Sequence, residues 1–196
     1  MAHNLGKTEK DARRPDARVL KSRAALRDAL LALVAEHPFA EINIAMLADK
    51  AGVGYATFFR HYPDKEALLA DVADAMIADL LARLLPLLLD GDGRTAMRGL
   101  AAYVDEHRPI CRALLFGAGE AIRAEITRRA IDRTRAAQTP TPSWLPRELA
   151  IVHGVGATLN IIGWWLQNGD EMSTDALAAA LERLVIAPIL PETDRA

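Results

Sequence analysis

The residues of this 196-residue chain that could do chemistry lie within positions 43–65, where polar and aromatic side chains alternate with apolar ones. Two short helices are predicted there, joined at Ala51-Gly52-Val53. A glycine in a tight turn lets a second helix pack steeply across a first, as a helix-turn-helix requires. Leu47, Val53 and Phe58 are spaced to form a small shared core. The predicted chemistry is therefore hydrogen bonding and apolar contact made by the outer face of the second helix.

That outer face would carry Tyr55, Ala56, Thr57, Phe59, Arg60 and His61. A helix in the major groove of DNA reads bases with its N-terminal residues and touches phosphates at its edges. The pattern thus indicates DNA binding. The alternative is a three-helix packing unit that serves as an interaction module without DNA.

The stretch INIAMLADKAGVGYATFFRHYPDKEALL (42–69) resembles the DNA-binding domain of the TetR/AcrR family of transcriptional regulators. The resemblance covers about residues 18–70, and the total length and helical remainder also suit the family. It implies a DNA-binding regulator that acts as a homodimer and responds to a small molecule.

The resemblance implies roles for individual residues: Asn43 caps the second helix and touches a phosphate, Tyr55 and Ala56 face bases, Thr57 contacts DNA, and His61 and Lys65 contact phosphates. Two positions depart from the family pattern. Gly54 replaces a usual Ser, which weakens the cap of the recognition helix by about 1 kcal/mol or less. Phe59 replaces a usual Tyr and lacks a hydroxyl for a phosphate. We therefore expect weaker anchoring to the DNA backbone.

The distribution of charge supports this interpretation, although the net charge is only −2. Residues 1–65 hold 11 Lys and Arg against 8 Asp and Glu, a net of +3, whereas residues 66–196 hold 13 against 18, a net of −5. Residues 1–15 are expected to form a flexible basic arm, which can follow a phosphate backbone or enter a minor groove. The alternative is a solvated tail.

The hydrophobic periodicity is helical almost throughout, so we predict an all-α fold. Residues 16–70 would form a three-helix helix-turn-helix domain, and residues 71–196 a helical ligand-binding and dimerisation domain. The predicted helices cover about residues 16–36, 44–50, 54–61, 64–85, 94–107, 109–116, 118–137, 147–168 and 174–187. Asp64 and Ser173 are expected to cap the long helix and the last helix.

Residues 94–190 lack nucleotide-binding glycine motifs, a GxSxG motif and an HExxH motif, so we expect no enzyme and no cofactor. A single cysteine, Cys111, excludes a cysteine-based zinc site, and no metal is expected. A small α-helical enzyme remains the alternative. A pocket for a small, mostly apolar effector is expected among Met97, Tyr103, His107, Cys111, Phe116, Ile122, Trp144, Asn160, Trp164 and Trp165. Plain core packing is the alternative for each of these residues.

The last two predicted helices carry more apolar surface than one protomer can cover, which favours a twofold-symmetric homodimer, with internal core packing as the alternative. The apolar stripe expected at this interface contains Leu149, Val152, Gly156, Leu159, Gly163 and Leu166, and the last helix adds Leu177, Ala180, Leu181, Leu184 and Val185. Residues 149–169 hold no charged side chain and approach the length of a membrane span. Polar residues inside the stretch and flanks without a positive bias favour a helix buried in a protein assembly, so no membrane partner is expected. The polar N-terminus and lone cysteine suit a cytoplasmic protein.

The sequence as a whole predicts a ligand-responsive repressor. It would bind a palindromic double-stranded operator as a homodimer, and a small effector would release it.

Overall fold

The computed structural model describes residues 8–117, 124–125, 127–129, 131–132 and 144–189. All regular elements in these ranges are helical, so the all-α prediction is confirmed. The chain divides into two compact units, Met1–Val72 and Ala73–Ala196. Each unit has its own apolar core and is described by itself.

The first unit contains α1 (Thr8–Glu36), a 3₁₀ turn (Phe39–Glu41), α2 (Ile44–Lys50), α3 (Tyr55–His61) and the start of α4 (Lys65–Leu89). The predicted start of the first helix at Asp16 is wrong, because α1 already includes residues 8–15 of the expected arm. Several residues there, such as Lys10, Ala12 and Arg14, have high helix propensity. Residues 1–7 of the arm lie outside the described residues.

The core of the first unit joins α1, α2, α3 and the first turns of α4. Its fully buried side chains include Leu26, Leu30, Leu47, Phe58 and Leu68. Leu47 and Phe58 take the core positions that their spacing predicts, whereas Val53 is half-buried. Burial of such side chains contributes about 1.5–3 kcal/mol each, so packing rather than propensity holds the short helices.

The ends of these helices follow their capping residues. The Asn43 side chain accepts a hydrogen bond from Met46 N (3.0 Å), and Asp64 accepts one from Ala67 N (2.7 Å), as the sequence predicts. The predicted end of the long helix near Leu85 is wrong, because α4 continues through Pro86. A proline removes one backbone donor, and here this does not end the helix. The turn after α4 is made at Gly91, whose φ is +78°.

The second unit contains the remainder of α4, then α5 (Gly93–Glu106), α6 (Arg108–Arg112), α7 (Arg147–Gln167) and α8 (Thr174–Leu181). A π-helical turn continues α6 over Ala113–Gly117, and another continues α8 over Glu182–Ile186. Asp92 and Ser173 cap α5 and α8. The described residues of the predicted helix 118–137 are helical; the others, and residues 138–143 of the predicted loop, lie outside the described residues.

The core of the second unit is built mainly by α5, α7 and α8. Its buried side chains include Met97, Leu100, Ile162, Trp165, Leu177, Leu181 and Val185. Trp165 is fully buried, its indole Nε1 donates to Met172 O (2.8 Å), and the Arg108 guanidinium lies 4.0 Å from its ring centroid. Trp165 therefore ties α6 and α7 to the turn before α8.

By length and composition alone, α7 could cross a membrane. A single helix of this kind is weak evidence, because core helices of globular proteins have the same properties. Ile162, Trp165 and Leu166 of this helix are buried in the core of the second unit.

Candidate nucleic-acid interface and effector site

The turn between α2 and α3 depends on Gly52. Its φ of +63° lies in the left-handed region, and its amide donates to Asp49 O (3.0 Å). The next amide, Val53 N, donates to Ala48 O (2.9 Å), and Ala48 is itself buried. These bonds close the turn and start α3 immediately afterwards, as the helix-turn-helix prediction requires.

Helix α3 presents an aromatic pair on its outer face. Phe58 points inward and is fully buried, whereas Tyr55 and Phe59 are 57% and 46% exposed. The Tyr55 and Phe59 rings meet edge to face, with centroids 5.2 Å apart. Ala56 is exposed beside them. The predicted outward positions of Tyr55, Ala56 and Phe59 are therefore found on one side of the helix.

The same helix carries three polar residues, Thr57, Arg60 and His61. Arg60 is exposed, and its Nη2 donates to Thr57 Oγ1 (3.0 Å). His61 is half-buried, and burial lowers the pKa of its imidazole, helped by the positive charges of Arg60 and Arg23. A nearby phosphate would oppose this shift and raise the pKa of the imidazole, because an anion favours the charged form.

The capping positions differ in how they hold their helices. The exposed Asn43 uses its side-chain oxygen to cap α2, so its amide nitrogen is the group that faces outward for other contacts. Gly54 has an ordinary extended backbone, φ −69°, and caps α3 without a side chain. The missing cap that the sequence indicates is thus confirmed by the local geometry.

Lys65 has a structural role that sequence analysis missed. Its Nζ donates to three backbone carbonyls, Phe39 O (2.9 Å), Ala40 O (3.2 Å) and Ile42 O (2.8 Å). The ammonium also lies 4.7 Å from the Phe39 ring centroid. An ammonium group has three donors, so these carbonyls occupy all of them. The phosphate contact expected for Lys65 stays a prediction, and it would compete with these bonds.

A partly buried polar cluster joins α1, Tyr62 at the end of α3, and α4, and the sequence does not predict that these side chains meet. The Tyr62 hydroxyl donates to Asp71 Oδ2 (2.5 Å), Arg23 Nη2 donates to Asp71 Oδ1 (2.8 Å), and Arg27 Nε lies 3.0 Å from Asp71 Oδ2. Burial raises the pKa of Tyr62, and its bond to Asp71 adds to this. We call these four residues the Asp71 cluster. The hydrogen-bonded residues of the cluster are 9 to 48 positions apart in the chain, so no periodic pattern in the sequence predicts their contact.

Part of the predicted effector site forms a continuous strip on α5 and α6. The Tyr103 and His107 rings stack with centroids 4.3 Å apart, and His107 Nδ1 donates to Tyr103 O (2.8 Å). Cys111 follows one turn later, and burial raises the pKa of its thiol to about 11. A thiol with this pKa stays neutral and behaves as a small apolar group.

The other described residues of the predicted effector site fall into two groups, one in the core of the second unit and one on its surface. Met97 and Trp165 belong to the core cluster, which is the alternative expected for them. Phe116, Trp144, Asn160 and Trp164 are exposed in the protomer, and Ile122 lies outside the described residues. No group of three potential metal-binding side chains occurs in the described ranges.

The apolar stripe expected for dimerisation follows a different line on α7. Leu159, Gly163 and Leu166 are buried within the protomer, so their assignment to the outer stripe is wrong. The exposed side chains Leu149, Val152, Asn160 and Trp164 follow another line, because a helix with 3.6 residues per turn drifts away from steps that alternate between three and four residues. On the last helix, Leu177, Leu181 and Val185 are fully buried, and Leu184 is 63% exposed.

Residues 26–72 match the family model described as "Bacterial regulatory proteins, tetR family". Over 80 residues the chain is 35% identical to an uncharacterised HTH-type transcriptional regulator, YxbF, of Bacillus subtilis, and it spans about a fifth (21%) of that protein's length. A TetR transcriptional regulator of Streptococcus agalactiae has a similar fold, with a TM-score of 0.62 at 20% identity over 89% of this chain and 99% of that one.

FadR of Thermus thermophilus, a TetR-family repressor solved with lauroyl-CoA, also has a TM-score of 0.62, at 18% identity over 89% of this chain and 98% of that one.

Proposed function

We propose that this chain, a member of the TetR family, is a DNA-binding transcriptional regulator that represses its target genes and is released from DNA by a small, mostly apolar effector. The observation that carries the proposal is the outer face of α3. It presents Tyr55, Ala56, Phe59 and Arg60 to solvent while Phe58 alone anchors the helix from inside. A helix that packs on the core with one face and exposes the other to solvent is suited to enter the major groove of DNA.

The contacts with DNA would be divided between bases and phosphates. Tyr55, Ala56 and Thr57 at the start of α3 would face bases, with Phe59 beside them. Arg60, His61 and Asn43 would lie at the edges, where side chains meet phosphates. Gly54 would allow a close approach of the backbone. Lys65 would contribute by holding the 3₁₀ turn before α2, and its phosphate contact would require exchange of one of its carbonyl partners.

A homodimer would bind a palindromic operator, because two copies related by a twofold axis present two equivalent recognition helices. The exposed side chains Leu149, Val152 and Trp164 of α7, with Leu184 after α8, are the apolar groups that a second copy would cover. Exposed apolar patches rimmed by polar residues are typical of such interfaces.

The effector would bind in the second unit, near the strip formed by Tyr103, His107 and Cys111. Stacked rings and a neutral thiol suit an apolar ligand with few polar groups. FadR of Thermus thermophilus, which shares the fold, is solved with lauroyl-CoA, a ligand whose lauroyl chain is apolar. Because α4 is a continuous helix through residue 72, where the two units divide, it would carry the change to the DNA-binding unit.

This function is tested by DNA binding of the purified full-length protein, using the DNA upstream of its own gene over a salt series. Arg60→Ala is expected to weaken binding and to lower the slope of log K against log salt by about 1.8 per dimer, since each phosphate contact contributes about 0.9. Arg98→Ala is the matched control, because Arg98 is an exposed arginine on α5.

Thr57→Ala should also weaken binding. A protein that binds this DNA no more tightly than random DNA, or variants of α3 that bind as well as the wild type, would contradict the proposal.

A further inference from the structure

The outer face of α3 offers few free hydrogen-bonding groups for base edges. Tyr55, Ala56 and Phe59 present mainly aromatic and methyl carbon, with the Tyr55 hydroxyl as the one polar side-chain group among these three, and the Thr57 hydroxyl already accepts from Arg60 (3.0 Å). Base recognition by bidentate hydrogen bonds uses Arg, Lys, Asn or Gln at the groove floor. Among the exposed residues of α3, Arg60 alone is of this kind.

We propose that this surface, formed by Tyr55, Ala56 and Phe59, recognises the 5-methyl group of thymine in the major groove. The inference rests on the proposed function. Each operator half-site would place a thymine against the edge-to-face pair of Tyr55 and Phe59, whose centroids are 5.2 Å apart. The methyl group is the one apolar feature that distinguishes a base pair in the major groove.

Phe59 gives the clearest reason for this assignment. Its side chain is 46% exposed, and it has no group that could form a hydrogen bond with a phosphate. Covering its ring with a methyl group instead removes apolar surface from water on both partners. The ring is also held in place, because it packs against Phe58 as well as Tyr55, with centroids 5.6 Å from the Phe58 ring. A pre-positioned ring loses little rotamer freedom on binding.

The charged groups of the helix lie where they do not interfere with this contact. Arg60 is turned toward Thr57, and His61 is half-buried toward the end of the helix. The apolar surface therefore forms the first part of α3, and the cationic part follows it. This order matches a helix that reads bases with its N-terminal residues and contacts phosphates at its edges.

The test compares thymine with uracil, which lacks only the 5-methyl group. The full-length protein first selects its preferred site from random double-stranded DNA. Each thymine of that site is then replaced by deoxyuridine, and the dissociation constant is measured. A buried methyl group is worth about a fourfold change in affinity, so replacement at one position in both half-sites should weaken binding by about 15-fold.

Variants assign the effect to the proposed surface. In Phe59→Ala or Tyr55→Ala the difference between thymine and uracil should fall below about twofold, whereas Phe59→Tyr, which keeps the ring, should retain it. Leu89→Ala is the control, since Leu89 is also an exposed apolar side chain but lies in the second unit and in none of the proposed binding surfaces, and it should behave as the wild type.

Uracil substitution without effect at all positions would overturn the inference while leaving DNA binding intact. A sensitivity that persists unchanged in both alanine variants would also overturn it. Failure to select any DNA would refute the proposed function, and this inference with it.

Discussion

Replacement of Asp71 by alanine should destabilise the first unit, Met1–Val72, selectively. The Asp71 side chain is 18% exposed and is held by the Tyr62 hydroxyl and by Arg23 and Arg27 of α1. A hydrogen bond from a buried hydroxyl to a carboxylate contributes about 2 kcal/mol. The two arginines are 44% and 37% exposed, so each pair contributes about 0.5 kcal/mol. Asp71→Ala should therefore lower the stability of this unit by about 3 kcal/mol.

Amide hydrogen exchange of the full-length protein measures this loss within each unit. Amides of α1 and of residues 65–72, in the first unit, should lose protection against exchange. The three tryptophans, at positions 144, 164 and 165, all lie in the second unit, so their fluorescence reports on that unit. Their fluorescence transition in urea should keep its midpoint.

Asp79→Ala is the matched control for Asp71→Ala, because Asp79 is 46% exposed on the same helix and pairs with Arg83 at 2.9 Å. Its effect should stay below about 0.5 kcal/mol. Tyr62→Phe should cost about 1–2 kcal/mol, and its effect should largely disappear in the Asp71→Ala background, since both changes remove the same bond. A loss below about 1 kcal/mol in Asp71→Ala would refute the reasoning.

Three further predictions follow from other features. Lys65→Met should lower the stability of the first unit by about 1–2 kcal/mol, because the hydrogen bonds to Phe39, Ala40 and Ile42 are lost. If the variant leaves the slope of log K against log salt for DNA binding unchanged, Lys65 has this structural role only. A drop of about 0.9 in the slope per protomer would show that Lys65 contacts a phosphate. Gly52→Ala should cost about 1–2 kcal/mol because φ is +63°, although its Cβ would meet nothing within 4 Å. Gly54→Ser, at φ −69°, should not destabilise the protein, because serine is a preferred N-cap residue and its Cβ would make only an ordinary contact. Hydrogen bonds from Arg128 and then Arg129 lower the pKa of the Glu125 carboxyl from 4.5 to about 2. The stabilisation that the ionised carboxylate contributes is therefore complete above pH 4.5 and is lost as the pH falls toward 2. Tryptophan fluorescence across an acid titration should show this loss in the wild type and a flatter profile in Glu125→Gln.

The sequence predicted the elements whose signals are local. Asn43, Asp64 and Ser173 each cap the helix that their position indicates, because a capping bond spans only three residues. The helix-turn-helix followed from Gly52 and from the spacing of Leu47 and Phe58, and both side chains are buried as that spacing requires. Periodicity also gave α7 within one residue at its C-terminal end.

The remaining features depend on contacts between distant residues. The carbonyls around Lys65 lie 23 to 26 residues earlier in the chain, and Arg23 lies 48 residues before Asp71. A lysine at this position appears from the sequence to be a free cation, since nothing local shows that its donors are occupied. The exposed line on α7 was misplaced for a similar reason, because α5 and α8, and not the pattern of α7 itself, determine which of its apolar faces is covered.

Within the seven residues of α3, the side chain that packs in the core is separate from the side chains that are exposed on the outer face. Phe58 fixes the helix to the core, while the exposed side chains on the opposite face add little to folding, since surface substitutions away from special features change stability by about 0.5 kcal/mol or less. The outer residues can therefore be replaced in many combinations without loss of the folded state. Under the proposed function, such an arrangement would let the DNA sequence preference change through substitutions on the outer face of α3 alone. It also makes the outer face of α3 a good starting point for redesigning specificity on an unchanged scaffold.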